Sequence, residues 1–424
     1  MKLASFDIFD TALIRRCGIP ENIYYLLAYR LYPNDIAKRE DFLQWRIQAE
    51  SNAGSRHCRE VTLADIYDDP ELIGFGEYTA KELLAYEKAV EADNLMAVPV
   101  IADLIRQKRA DGYTICFISD MYLDSRFLSM ILMREGCRID GEQVFVSCEH
   151  GLRKSTGTLY GLVKKQLQPD VWEHYGDNRQ SDIKTARQFG IKGIYIDNGF
   201  TDAEKRLLKE TTWQRDKYPL SVLAGLSRAE RLSNAQSAET TLAADFVAPA
   251  YIPYILFILK TARERGIKRL YFLSRDSYIL MKAMQALSPG DIELRFLFVS
   301  RQSLLLPYLT NPTAELFLDI MDHKTIYRKY VDALLYKLGT GRSELEKSGI
   351  TFDYNHITTR EQEQDFLHKV FDGAFVPILQ QRTQEARHVL SAYLEQEGLF
   401  DGTENAMVDI GWLGTSRLMI NRIL

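Results

Sequence analysis

Five short apolar runs alternate with helical stretches over the first two hundred residues, and that alternation leaves few folds open. The runs are Lys2–Ile8, YTICFIS ending at Ser119, Gln143–Cys148, Glu173–Asp177 and Lys192–Asp197. A nearly continuous apolar run such as YTICFIS is what a strand covered on both faces requires. The pattern predicts an α/β fold with a doubly wound parallel sheet, whose ligands lie beyond the carboxyl ends of its strands. Between about Glu21 and Ala97 the spacing is helical instead, with Tyr24, Leu27, Leu31, Phe42, Trp45 and Ala49 at three- and four-residue intervals. The strand signal disappears again from about Asn198 to Ala244, where RAERLSNAQSAETT is polar and poor in large apolar residues. The expected organisation is a first domain over 1–200 with a helical insert at about 18–97. A linker or docking segment follows over 201–244, then a second α/β domain over 245–424. The helix–strand passages leading to FISDMY and FLSRDSY line up with one another, consistent with duplication or with convergence on a common shape.

Composition narrows the partners. Lys plus Arg number 53 against 58 Asp plus Glu, a net charge of −5, so no overall positive field points to nucleic acid. Cys17, Cys58, Cys116, Cys137 and Cys148 include no CxxC pair and suit free thiols in a reducing, cytoplasmic setting. Lys2 is soon followed by Asp7 and Asp10, which is no signal-peptide pattern. The most apolar stretch, Phe246–Leu259, is 14 residues long and holds Pro249 and Pro253, so the expectation is a buried helix and no transmembrane segment.

The residues that close the runs carry chemistry. Asp7 ends the first, Ser119 the second, Lys154 follows the third, and GDNRQSD places Asp177 and Asp182 after the fourth. A carboxylate that attacks phosphorus splits a hard transfer into two easier steps. Mg²⁺ takes oxygen ligands, including one or two carboxylates, and a hydroxyl with an ammonium offsets charge in the transition state. A lone Asp after a strand is otherwise a helix cap, and that plainer reading is adopted for Asp120 and Asp124. Arg46 and Glu50 are expected to pair on a helix surface, with Glu82 and Glu87 on similar faces. Tyr122 is a candidate substrate-side wall. His57, His150 and His174 receive no role.

The order D-x-x-x-T, S-D, K, G-D-x-x-x-x-D over residues 1–197 resembles the four motifs of the haloacid dehalogenase superfamily, and 18–97 stands where that family carries its helical cap. The phrases SFDIFDT, ISDMY and GDNRQSD resemble a bacterial subgroup of hydrolases associated with surface-polysaccharide synthesis. The resemblance implies a Rossmannoid sheet and a Mg²⁺-dependent phosphatase. Asp7 would be the nucleophile, and Thr11, Ser119, Asp120 and Lys154 the phosphate-side groups. Asp177 would ligate the metal directly together with Asp7 and the Phe9 carbonyl, and Asp182 would hold its water shell. One departure matters: the family's usual acid/base position, two residues past the nucleophile, is Phe9 here. Asp10 serves in its place if the loop turns unusually; otherwise water or a cap residue does. Dehalogenases of the superfamily also carry an aromatic there but use no metal, and the complete GDxxxxD motif favours the phosphatase.

The second half has its own polar groups after apolar runs: Ser274, Arg275 and Asp276, Ser300 and Arg301, then Asp409, Gly411, Gly414 and Thr415. A glycine-containing turn before a helix suits a phosphate, so this is a candidate anion site. The layout is similar to enzymes that transfer a phosphoribosyl group from phosphoribosyl pyrophosphate and then remove its phosphate. A non-catalytic interaction module is the competing class. The expected partners are a phosphorylated small-molecule or glycan substrate and glycan-assembly proteins. The final helix, RLMINRIL, has no polar exit, so either Leu424 packs or a further segment follows.

Overall fold

The computed structural model describes residues 1–424 apart from 58, 210–216, 235–236, 275, 322–324 and 412–413. The chain divides into two compact units, Met1–Ala250 and Tyr251–Leu424. In the first, β1 (Lys2–Phe6) is the middle of a five-stranded parallel sheet with β4 (Thr114–Ser119), β5 (Gln143–Val146), β6 (Val171–Gly176) and β7 (Lys192–Tyr195). The order is β5-β4-β1-β6-β7, and every pairing is parallel. Strand alternation gives the sheet two dry faces. Ala4, Phe6, Ile115 and Phe117 point to the larger core, whereas Leu3, Cys116, Ile118 and Trp172 point to the other. This is the Rossmannoid arrangement the alternation predicts.

The insert is helical: α1 (Glu21–Leu31), α2 (Ile36–Arg56), α3 (Leu63–Tyr67) and α4 (Ala80–Asn94). Its base is a two-stranded antiparallel ribbon absent from the sequence reading, β2 (Leu13–Arg15) against β3 (Leu95–Ala97). Three-residue strands carry no period of their own, and only the closure of the insert brings them together. Arg46 corrects a second expectation. Its side chain is buried, and it forks onto Glu87 at 2.7 Å through both Nε and Nη2, with Glu50 a looser partner at 3.4 Å. Glu87 also accepts from the Tyr67 hydroxyl at 2.6 Å. The pair is thus interior, because α3 and α4 cover the face of α2 that helical spacing alone leaves to solvent. Glu82 closes a capping box with Thr79 at the start of α4.

After α5 (Pro99–Ala110), α6 (Ser125–Arg134), α7 (Ser147–His150), α8 (Thr158–Leu167) and α9 (Ala186–Gln188), the chain leaves the sheet for α10 (Asp202–Lys209) and α11 (Lys217–Ser233). The described residues of the passage expected as a linker or docking segment are largely helical, and they lie within the first unit. Its polar residues mislead because they are satisfied internally. Ser227 donates to the Ala244 carbonyl at 2.7 Å, and Arg231 pairs with the fully buried Glu204 at 3.0 Å. Cys17, Cys116, Cys137 and Cys148 are free and buried, whereas Cys58 lies outside the described residues.

The second unit holds a three-stranded parallel sheet, β8 (Arg269–Leu273), β9 (Glu293–Leu297) and β10 (Asn405–Val408), in the order β10-β8-β9. Helices pack Tyr271, Phe317, Phe366 and Phe375 into its core. The apolar stretch differs from expectation. It belongs to a helical run over Ala238–Glu264, long and apolar enough by length and composition to cross a membrane, with 22% of its most apolar window buried. The helix passes through Pro253 instead of stopping, so fourteen residues underestimated it. At the chain end Met419, Ile420 and Ile423 are buried and Leu424 is exposed.

Candidate active site

Asp7 follows the central strand, its amide bonded to the Tyr175 carbonyl at 2.8 Å on neighbouring β6. Asp177 follows β6 directly. Asp182 sits in the wide helical turn Arg179–Thr185 and folds back beneath the strand ends. Two glycines make that return feasible: a Cβ on Gly176 would lie 2.3 Å from Asp182 Oδ2, and one on Gly193 would lie 2.6 Å from the Asp182 carbonyl. The glycine of the GD pair is thus a matter of space. Asp7, Asp177 and Asp182 each offer an oxygen, all within 4.8 Å of one another, and this triad is placed to bind a metal ion.

Lys154 Nζ stands between two of them, 2.7 Å from Asp7 Oδ1 and 2.9 Å from Asp182 Oδ1. Its loop is held from β4. Asp120, next after that strand, accepts the Lys154 amide at 2.8 Å and the Ser155 amide at 3.4 Å. Asp120 therefore anchors the lysine loop instead of capping a helix, whereas Asp124 does cap α6 by accepting the Phe127 amide at 2.8 Å. Ser119 is buried at the wall of the cavity. Thr11 is fully buried, and its hydroxyl faces Asp177 Oδ1 at 3.4 Å. The Phe9 ring lies under the Arg15 guanidinium at 4.4 Å. Asp10 takes the left-handed turn that its position requires, with φ 54°, a conformation that is uncommon outside glycine. Its carboxylate meets Arg228 of α11 at 2.7 Å.

These groups open on a cavity of about 1110 Å³. The strand ends supply Asp7, Asp10, Ser119, Lys154 and Asp177, and the insert supplies Tyr24, Glu50, His57 and Arg59. Tyr122 lines it too, its hydroxyl 3.2 Å from that of Tyr24. Insert and sheet are clasped by Glu60 with Arg153 and by Lys88 with Asp124.

One ammonium among three carboxylates leaves the cluster short of positive charge. Burial pushes the Asp7 carboxyl well up, Lys154 opposes, and Asp182 and Asp177 add to the rise. Asp177 is pushed up by burial and then by Asp10 and Asp182. Burial would raise Asp182 as well, but Lys154 and His174 hold it well below the carboxylate range. Burial works against the charged Lys154, and Asp7 and Asp182 more than restore it. An oxygen-only donor set with surplus negative charge fits a hard divalent cation.

Sequence reasoning missed two contributors. His174, given no role, is fully buried with Nε2 at 3.3 Å from Asp182 Oδ1. Burial holds its imidazole below the ordinary value against the pull of Asp182. A signal existed: Ser5, Trp172 and His174 share by alternation the apolar face that holds Leu3 and Cys116, where polar groups must find partners. Arg228 had none, because nothing in a polar helix says which arginine is buried.

In the second unit Ser274, Ser300 and Asp409 all lie beyond the carboxyl ends of three adjacent parallel strands. Asp276 precedes the helix Ser277–Ala286, Arg301 opens the helix Arg301–Tyr308, and Arg275 lies outside the described residues. Asp409 Oδ2 lies 2.7 Å from where Gly411 would carry a Cβ. Gly414, at φ 65°, precedes Thr415, the first residue of the last helix.

No family model and no curated protein matches the chain. Among solved structures it is similar to a 2-haloacid dehalogenase from Pseudomonas syringae pv. Tomato DC3000, with 17% identity and a TM-score of 0.34 over 53% of this chain and 97% of that one. Another is described as a dehalogenase, with 14% identity and a TM-score of 0.33 over 47% and 85% of the two chains. A third, from Lactobacillus delbrueckii subsp. bulgaricus ATCC BAA-365, is described as a phosphoglycolate phosphatase, with 18% identity and a TM-score of 0.27 over 45% and 84%.

Proposed function

We propose that the chain is a Mg²⁺-dependent phosphatase of the haloacid dehalogenase type, acting on a phosphorylated sugar or glycan intermediate in surface-polysaccharide synthesis. The observation that carries this reading is Asp7 in the lining of the cavity, sharing Lys154 with Asp182 beside Asp177. Asp7, Asp177 and Asp182 would hold the cation, with the Phe9 carbonyl as a further oxygen. Bound there, Mg²⁺ supplies positive charge for the phosphate oxygens and for the carboxylates gathered around them.

An Asp7 oxygen attacks phosphorus, the phosphorus–oxygen bond to the sugar breaks, and the leaving oxygen takes a proton from water, the Asp10 carboxylate being engaged by Arg228. Asp10 then accepts a proton from the water that attacks the aspartyl phosphate. That attack breaks the bond to Asp7 and releases inorganic phosphate. Lys154 neutralises the developing charge, and Ser119 donates to a phosphate oxygen that is not transferred. The left-handed turn at Asp10 supports its assignment, since it brings a carboxylate at the third position into the cavity wall. The charged and hydroxylated lining suits a hydroxyl-rich substrate.

A panel of phosphorylated sugars assayed with and without Mg²⁺ tests the reading. Phosphate release that requires the metal is expected, and Asp7→Asn should lower it at least a thousandfold. Halide release from 2-haloacids without metal, or phosphate release that survives Asp7→Asn unchanged, would overturn it.

A further inference from the structure

Behind Asp182, on the sheet face away from the insert, three polar side chains form a single file. Trp172 Nε1 donates to Ser5 Oγ at 2.7 Å, and Ser5 Oγ lies 2.7 Å from His174 Nδ1. His174 Nε2 faces Asp182 Oδ1 at 3.3 Å. Ser5, His174 and Asp182 are fully buried, and Trp172 nearly so. The direction of the protons follows from donor chemistry. An indole N–H can only donate, so Ser5 accepts from Trp172 and has one proton left to give. Its near acceptor is His174 Nδ1, the alternative being the Glu173 carbonyl at 3.4 Å. Nδ1 is then bare, the ring proton is on Nε2, and it points at the Asp182 carboxylate.

Asp182 Oδ1 receives Lys154 on its other side at 2.9 Å, while Oδ2 takes the Asn178 amide at 3.0 Å. Ser181 Oγ at 3.3 Å and the Tyr160 hydroxyl at 3.4 Å also donate to Oδ1, so His174 is one of five groups around the carboxylate and the one that ties it to the file behind. A second hydrogen bond that fixes tautomer and orientation is how metal sites hold their carboxylates and imidazoles.

We infer that Trp172, Ser5 and His174 form a positioning relay that sets the orientation of Asp182, and through it the geometry in which the aspartate triad receives its cation. The inference rests on the phosphatase reading only in taking the triad as a Mg²⁺ site. None of the three touches substrate, so they are positioning residues. A core histidine with merely structural duty would leave metal affinity alone.

Calorimetric titration of the full chain with Mg²⁺ separates the cases, with unfolding temperatures measured in chelator as a check on the fold. His174→Leu keeps bulk and removes the donor, and it should weaken Mg²⁺ binding about 10- to 100-fold. His174→Gln keeps an N–H at similar reach and should stay within about threefold of the unaltered chain. Trp172→Phe leaves the carboxylate's own contacts intact but frees Ser5 to turn, so it should weaken binding by a smaller factor in the same direction. That variant carries the test if His174→Leu fails to fold. Unchanged affinity in the variants that fold, or a glutamine variant as weak as the leucine one, overturns the relay. Failure of the unaltered chain to bind Mg²⁺ overturns the phosphatase reading and the relay with it.

Discussion

Glu173 illustrates how much a single interior carboxylate depends on its partners. It alternates with Trp172 and His174 along β6, away from the triad. Lys108 reaches it at 2.6 Å, Lys192 at 2.9 Å and the Tyr175 hydroxyl at 2.8 Å. Burial would raise its carboxyl, but these donors outweigh burial and hold it at about 2, against an ordinary 4.5. A depressed acid stabilises the fold above its unfolded value and loses that contribution as pH falls through the folded one. The stability conferred by Glu173 should therefore be complete above about pH 4.5 and fade toward pH 2, a contribution on the order of 2 kcal/mol. Urea unfolding of the unaltered chain and of Glu173→Gln at pH 7, 4.5 and 3 should show a gap that narrows with acid; a constant gap would contradict it. Legibility at this scale follows strand position. Asp7, Ser119 and Asp177 stand out as candidates because a polar residue that closes an apolar run shows in one dimension, whereas Asp182, inside the turn Arg179–Thr185, stands out only by its spacing from Asp177. His174 lies mid-strand, where its meaning comes from Ser5 across the sheet.

Among the elements, α11 departs furthest from what its composition suggests. Ser221 accepts from Asn22 Nδ2 at 2.8 Å, Arg228 Nε donates to the Asn198 carbonyl at 2.7 Å, and Asn198 Nδ2 donates to the Thr11 carbonyl at 3.0 Å. The helix thus braces both the loop that bears Asp10 and the entry to the insert. Backbone contact makes this feasible: a Cβ on Gly225 would stand 2.2 Å from the Gly18 amide nitrogen and 2.4 Å from the Cys17 carbonyl carbon. Gly225→Ala gains helix propensity of about 1 kcal/mol but forces backbone apart, and overpacking of this kind costs about 1–3 kcal/mol or more. The variant should be net destabilised, with a lower unfolding temperature and raised protease sensitivity, whereas Gly54→Ala in α2, which meets nothing, should be stabilised or neutral. Sheet strands and most insert helices were legible because their periods are strong. The ribbon β2–β3 and the docking of α11 were not, since each depends on partners elsewhere in the chain.

The whole molecule is two units, each with its own parallel sheet and core. A ligand stabilises only the unit whose folded state binds it, by about 2.7 kcal/mol at a hundred times its dissociation constant. Scanning calorimetry should therefore resolve two transitions, of which saturating Mg²⁺ raises one, and Asp177→Asn should abolish that rise while leaving the other transition in place. A single transition, or two that move together, would mean that the units unfold as one. By itself the sequence determined the alternation of strand and helix, the place of the insert and the order of carboxylates at strand ends, because hydrophobic period and strand termini are local properties. The tertiary structure alone decided that Lys154 bridges Asp7 and Asp182, that Asp10 meets Arg228, and that His174 Nε2 faces Asp182. Those are contacts between residues far apart in the chain, and in a low-dielectric interior the identity of the partner sets the charge, the proton and the role of each group.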